Sequence, residues 1–175
     1  MRRAPIPAPQ SDPPGKLNYS DLLLTTFTPL RDPSSWPQYA QQLDAAANGD
    51  ASALEDVAWG PVQGWWLWAP CAANWPAHST DSYAGPWNRR TKNPILLINN
   101  LHDPADKYVN AQRTERLLGN AVLLTNAGYG HPVPSDPSKC IDRWRARYLV
   151  RLATPPRGTV CKPERRPFDP DFGNP

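Results

Sequence analysis

The stretch "NPILLINNLHDPAD", residues 93–106, decides how this chain folds. "PILLINN" (94–100) is a continuous apolar run bounded by Pro and Asn, which suits a strand covered on both faces. The run stops on His102, Asp103 and Pro104, so a carboxylate stands where a core strand leaves its sheet. Next, "DKYVNAQRTERLLGN" (106–120) suits a helix, with Tyr108, Ala111, Leu117 and Leu118 apolar and Gly119 as its stop. "AVLLTNA" (121–127) reads as a second buried strand. "SDPSKCIDRWRARYLVRL" (135–152) reads as a helix with Ile141, Trp144, Tyr148 and Leu149 facing inward. The order β-α-β-α implies an α/β fold with a parallel strand pair joined by a right-handed crossover.

The second strand is followed by "NAGYGHP" (126–132), which puts His131 in the same kind of place as Asp103. In open α/β sheets the carboxyl ends of the strands are where ligands and chemistry collect. An Asp and then a His on successive strand ends is the later part of the chain order Ser…Asp…His. The His takes a proton from a nucleophile hydroxyl. The Asp fixes the imidazole tautomer and stabilises its charged form. Gly128 and Gly130 allow a tight turn that presents His131. Taken singly, Asp-Pro after a strand is commonly a turn and Gly-x-Gly-His commonly a loop; the pairing favours the functional reading.

Upstream, "NYSDLLLTTFTPL" (18–30) suits a short helix capped by Ser20, with Leu22, Leu23, Phe27 and Leu30 on one face and Pro29 as its end. "SSWPQYAQQLDAAAN" (34–48) suits a helix capped by Ser35, with Trp36, Ala40 and Leu43 as its stripe, and "ASALEDVAW" continues to Gly60 as another. Residues 1–16 carry five prolines and read as a disordered or extended lead-in. Pro reaches 23 of 175, more than double the usual share of about 5%, which argues for long irregular connections. The Trp cluster Trp65, Trp66, Trp68 and Trp75 is either a sugar-stacking platform or, in the preferred reading, core and cover of a loop-rich region.

The formal charge is +3, and the basic residues are scattered (Arg89, Arg90; Arg143, Arg145, Arg147; Arg165, Arg166). No run typical of a nucleic-acid-binding arm occurs, so no nucleic-acid partner is expected. "MRRAPIPAPQSDPPG" has two arginines but no apolar core of a signal peptide, and no apolar run is long enough for a membrane span. Cys71, Cys140 and Cys161 make an odd count with no zinc-like spacing, and neither metal nor cofactor is expected.

"PILLINNLHDPAD", "NAGYGHPV", "KCIDRWRARYLV" and "PRGTVC" resemble the C-terminal region of secreted α/β-hydrolases related to tripeptidyl aminopeptidase. "NYSDLLLTTFTPLRDPSSWPQYAQQLDAAANGD" is similar to that family's segment leading out of its lid. The resemblance covers roughly residues 17–168. It implies a partial α/β-hydrolase fold: C-terminal strands and helices of the sheet plus part of the lid. The domains it implies are a lead-in (1–16), a helical lid-derived segment (17–60) and a C-terminal hydrolase region (61–175). It makes Asp103 the triad acid and His131 the triad base. It implies a disulfide between Cys140 and Cys161, leaves Cys71 to a partner outside the chain, and suggests a secreted enzyme acting on peptides.

The chain departs from the family at Asn99 and Asn100, where small residues are usual, and at Asp106 and Lys107, where Thr-Pro is usual. Asp106 is therefore a rival acid, with Asp103 preferred because it aligns with the motif. No Gly-x-Ser-x-Gly occurs, so the nucleophile elbow is expected to lie in an N-terminal half outside the chain, which would be a partner. Three readings remain: the C-terminal portion of a serine exopeptidase, a non-catalytic remnant or binding protein, and an esterase-type fragment.

Overall fold

Asn18 starts the first helix. Its side-chain oxygen accepts from the backbone N–H of Ser20 (2.8 Å) and of Asp21 (3.0 Å). Asn18 rather than Ser20 therefore satisfies the free donors of α1 (Tyr19–Arg31). Pro29 does not end this helix but lies inside it. Its missing N–H leaves only the Thr25 carbonyl without a helical donor, close enough to the end for two more residues to follow. Asp32 then accepts from the N–H of Ser34 (3.0 Å) and opens a 3-10 turn, Pro33–Ser35, that leads into α2 (Trp36–Ala47). The cap expected at Ser35 is supplied by Asp32, and the Ser35 hydroxyl donates back to the carbonyls of Pro29 and Asp32.

A computed structural model describes residues 4–59, 80–133 and 136–169. The Trp65, Trp66, Trp68 and Trp75 cluster and Cys71 lie outside the described residues. The chain divides into two units: Met1–Thr28 with Gln38–Ala84, and Pro29–Pro37 with Gly85–Pro175. Among the described residues no helix is long and apolar enough to cross a membrane.

In the first unit, residues expected as a disordered or extended lead-in carry an antiparallel ribbon, β1 (Ile6–Ala8) and β2 (Gly15–Leu17), with Ile6 opposite Leu17 and Ala8 opposite Gly15. Two-stranded ribbons of this length hold only against a packed neighbour. Here the neighbour is α3 (Ser52–Trp59), tied on by the Ala51 N–H to the Pro7 carbonyl at 2.9 Å. Asp50 precedes α3 and accepts from the Ser52 hydroxyl (2.6 Å) and the Ser52 N–H (3.0 Å). Those two bonds hold its carboxyl below the usual range. The core is Leu17, Tyr39, Ala46, Ala51, Leu54 and Ala58. Two expected faces are therefore corrected. In α2 the buried residues are Tyr39 and Ala46, while Ala40 and Leu43 are exposed. In α1 the buried residues are Asp21 and Thr25, while Leu23, Phe27 and Leu30 are exposed.

In the second unit, β3 (Ile95–His102), β4 (Ala121–Tyr129) and β5 (Val160–Cys161) form a parallel sheet in the order β3-β4-β5. Helix α4 (Tyr108–Leu117) makes the crossover between the first two, and α5 (Lys139–Arg151) follows β4. A parallel sheet with helical crossovers is the arrangement expected of a partial α/β-hydrolase fold. The strands are unequal. β4 is central and mostly buried, as its apolar run requires. β3 is only half buried because, among the described residues, one edge carries no strand; full cover on both faces was the expectation.

Leu124, Ile141 and Cys161 form the core of this unit, with Leu96, Ile98, Val133, Cys140 and Trp144 packed against them. The Tyr148 hydroxyl donates to the Pro94 carbonyl at 2.9 Å, so α5 pins the entry to β3. Leu149, expected inward, is exposed, and α4 buries none of its residues. Cys140 and Cys161 form a disulfide with their Cα atoms 5.6 Å apart, joining α5 to β5.

That bond closes a loop of sequence separation 21. Replacing Cys161 by Ser is expected to lower stability by about 3 kcal/mol in urea unfolding, and reducing the native chain should give the same loss. Leu124→Ala, at a fully buried position, should cost about 2–5 kcal/mol in the same assay.

Candidate active site

The site is built where β3 and β4 end. Their pairing runs residue by residue from Ile95 opposite Ala121 to Asn100 opposite Asn126, then slips so that His102 faces Tyr129. The slip puts one extra residue in β4 and turns its end relative to β3, a common device beside functional sites. The His102 ring stacks on Tyr129 at 4.9 Å and 18°, which closes the slipped end.

Asp103 follows β3 directly. Its Oδ1 accepts from the N–H groups of Ala105 and Asp106, both at 2.8 Å, so the carboxylate folds over its own turn. Asn99 helps close the turn by donating to the Asp106 carbonyl at 3.3 Å. With Oδ1 occupied, Oδ2 points to His131, and the Nδ1···Oδ2 distance is 2.9 Å. The Asp103 side chain is 3% exposed and the His131 side chain 23%, so the carboxylate is covered and the imidazole reaches the surface. Asp106, the rival acid, also faces Nδ1, but at 3.7 Å and with its side chain 72% exposed. Asp103 and His131, 28 apart in sequence, are thus in direct contact.

His131 sits two residues past β4. Its N–H donates to the Arg31 carbonyl. Gly130 has φ +80, a left-handed conformation, and a Cβ there would strike Pro33 and the Arg31 carbonyl. Gly128 serves differently from the tight turn expected of it. It lies within β4, and a Cβ would collide with the Asp136 carboxylate and the Asn126 amide. A strand Gly marks close approach of another group, and here that group is a buried acid.

Three side chains behind the site carry no weight in the sequence reading. Asn100 is fully buried and donates through Nδ2 to the Tyr129 and Gly130 carbonyls, both at 2.9 Å. Its Oδ1 accepts from Asn126 Nδ2 at 2.9 Å. Asp136, 1% exposed, accepts the Tyr129 N–H at 2.7 Å. The two residues before His131 are therefore gripped from both sides by a buried polar network. Burial holds the Asp136 carboxyl above the usual carboxylate range, partly opposed by the Tyr129 N–H. Asn100 stands out as a departure from the family's small residue, and the polar Asn at a core-strand end was the available signal. For Asp136 the signal was Gly128.

Among the described residues, no group of three or more His, Cys, Asp and Glu side chains is placed to hold a metal ion. The arrangement can orient an imidazole: Nδ1 is engaged by a fixed carboxylate, which leaves Nε2 to exchange a proton with a neighbouring group.

Comparison with known proteins agrees with this architecture. The family model described as TAP-like protein, an α/β-hydrolase family, matches residues 56–161. Serine protease Hip1 of Mycobacterium bovis and of two strains of Mycobacterium tuberculosis is 35% identical to this chain over 69 residues. That alignment covers 39% of this chain and 13% of the relative, so the match spans a small part of those proteins' length.

Two outcomes are expected of the buried network. Asn100→Ala leaves two carbonyls and an amide without their partner and should cost about 2 kcal/mol or more, with faster hydrogen exchange at the His131 N–H. For Asp136 the folded state binds its proton more tightly than the unfolded chain does. Its stability contribution is full below about pH 4 and is lost as pH rises through the raised value. Asp136→Asn removes that titration, so unfolding curves should show the variant gaining on the native chain between pH 4 and pH 7.

Proposed function

The chain belongs to the TAP-like family of α/β-hydrolases, and on that premise we propose that it supplies the acid and the base of a serine hydrolase of the tripeptidyl aminopeptidase type. The observation that carries the reading is the 2.9 Å bond from His131 Nδ1 to Asp103 Oδ2 at the carboxyl ends of two parallel strands. In this reading Asp103 holds Nδ1–H and so presents Nε2 with its lone pair outward. Nε2 takes the proton of a serine hydroxyl as that oxygen attacks a peptide carbonyl. The proton then passes to the leaving amine, and the cycle repeats with water to release the acyl group.

The serine comes from outside these 175 residues, since no Gly-x-Ser-x-Gly occurs among them. The half-buried β3 accommodates this, because a parallel strand of that composition gains by further cover. Residues 17–60 then derive from a lid. The substrate is a peptide with a free N-terminus from which a short fragment is released. The Cys140–Cys161 bond favours an oxidising, extracellular setting. That the mycobacterial relatives are serine proteases by name supports the hydrolase class. The absence of a serine elbow within the chain favours one second reading, a non-catalytic member that keeps the pair without using it.

Fluorophosphonate labelling of the native protein, captured with an antibody to residues 136–169, separates the two. A labelled band well above the mass of this chain is expected. An unlabelled band at the mass of this chain alone would leave the second reading. In the serine-bearing assembly, Asp103→Asn should lower kcat by about 10⁴-fold by disturbing the imidazole tautomer. Asp106→Asn, at an exposed and more distant carboxylate, should change kcat by no more than about threefold.

A further inference from the structure

A concave cleft of about 850 Å³ opens beside the same sheet edge. Ala127 and Tyr129 of β4 line one side, and residues 162–169, which follow β5, line the other. It therefore lies outside the carboxyl ends of two adjacent parallel strands, the edge at which open α/β sheets take ligands, and its size is that of a small-molecule site.

Its walls are aromatic. The Trp36 ring meets Tyr129 edge-on at 5.6 Å and 70°, and Phe168 at 6.2 Å and 52°. The indole N–H of Trp36 donates to the Pro29 carbonyl at 3.0 Å, so its one polar atom is satisfied. Phe168 stays 58% exposed and has φ +71, a left-handed backbone unusual for a residue with a side chain.

The charges around these rings are unequal in their engagement. Glu164 accepts from the Lys139 N–H at 3.1 Å and sits 3.6 Å from the Lys139 ammonium. Asp169 accepts from the Arg166 N–H at 2.7 Å. Lys162, Arg165 and Arg166 line the same cleft; Arg165 is engaged elsewhere, and among the described residues the Lys162 and Arg166 side chains make no ion pair or hydrogen bond. The two acids are tied into the wall, while Lys162 and Arg166 are open.

We propose that this cleft binds a carboxylate carried next to an aromatic ring, the chemistry of a peptide chain ending in Phe, Tyr or Trp. The ring stacks among Trp36, Tyr129 and Phe168, and the carboxylate bridges Lys162 and Arg166, whose ammonium and guanidinium both form charge-assisted bonds. A cationic ligand is repelled, and a neutral aromatic keeps the stacking but loses the ion pairs. The proposal concerns binding and stands whether or not Asp103 and His131 take part in hydrolysis.

Titration of the full chain with N-acetyl-phenylalanine at neutral pH, followed by NMR at the Trp36 indole N–H and the Tyr129 amide, tests it. Saturable shifts at both positions are expected, with a dissociation constant of about 1 mM or below. The uncharged N-acetyl-phenylalaninamide should bind about tenfold more weakly. The double variant Lys162→Ala with Arg166→Ala, exposed positions whose loss leaves the core untouched, should weaken the acid to the level of the amide. Equal binding of acid and amide, an unchanged affinity in the double variant, tighter binding of phenyl phosphate, or no saturable shift would each overturn it.

Discussion

Everything at the candidate site depends on the register between β3 and β4. Six successive pairs, from Ile95–Ala121 to Asn100–Asn126, hold the strands in step, and the slip before His102–Tyr129 breaks that step at the site itself. A shift of one residue in either strand would turn its side chains to the opposite face. Asp103 and His131 leave from these two strand ends. Their 2.9 Å bond is thus set by the backbone pairing upstream of it rather than by local attraction between the two groups. Asn100 closes the gap left by the slip, because its amide spans from β3 to the two successive carbonyls that lead into His131.

The same arrangement explains how the carboxylate and the imidazole differ. Both N–H groups of the Asp103 turn are spent on Oδ1, which leaves Oδ2 a single direction. His131 is held at its backbone by Arg31 and through its ring by Asp103, yet its side chain keeps access to the surface. An imidazole fixed at Nδ1 and open beyond it is the form that proton transfer requires. The disulfide between Cys140 and Cys161 works further back. It binds α5 to β5, and β5 in turn pairs with Thr125 and Asn126 of β4.

The parts of this architecture legible in the sequence are those written by short-range pattern. Two apolar runs gave the parallel strands, and turn residues after each run pointed to Asp103 and His131. Where a residue's place depended on which neighbours cover an element, the pattern misled. Leu23, Phe27 and Leu30 share a helical face that periodicity would bury, yet they are exposed while Asp21 and Thr25 are inside. Asn100 read as an oddity in a core strand, because its value lies in three partners at positions 126, 129 and 130 that no local rule supplies. Asp136 falls in the stretch read as the start of a helix and is instead a buried acid ahead of that helix, packed against a glycine. The Cys140–Cys161 pair followed from the family resemblance, since three cysteines leave the pairing open.

The Asp103–His131 pair is assembled by this chain from its own two strand ends. The most direct test is proton NMR of the chain labelled with ¹⁵N at its histidines. A resonance from His131 Nδ1–H is expected, shifted downfield of the ordinary amide region by its bond to a carboxylate and lost in Asp103→Asn. A His131 ring protonated on Nε2 instead, with a spectrum unchanged by Asp103→Asn, would contradict it.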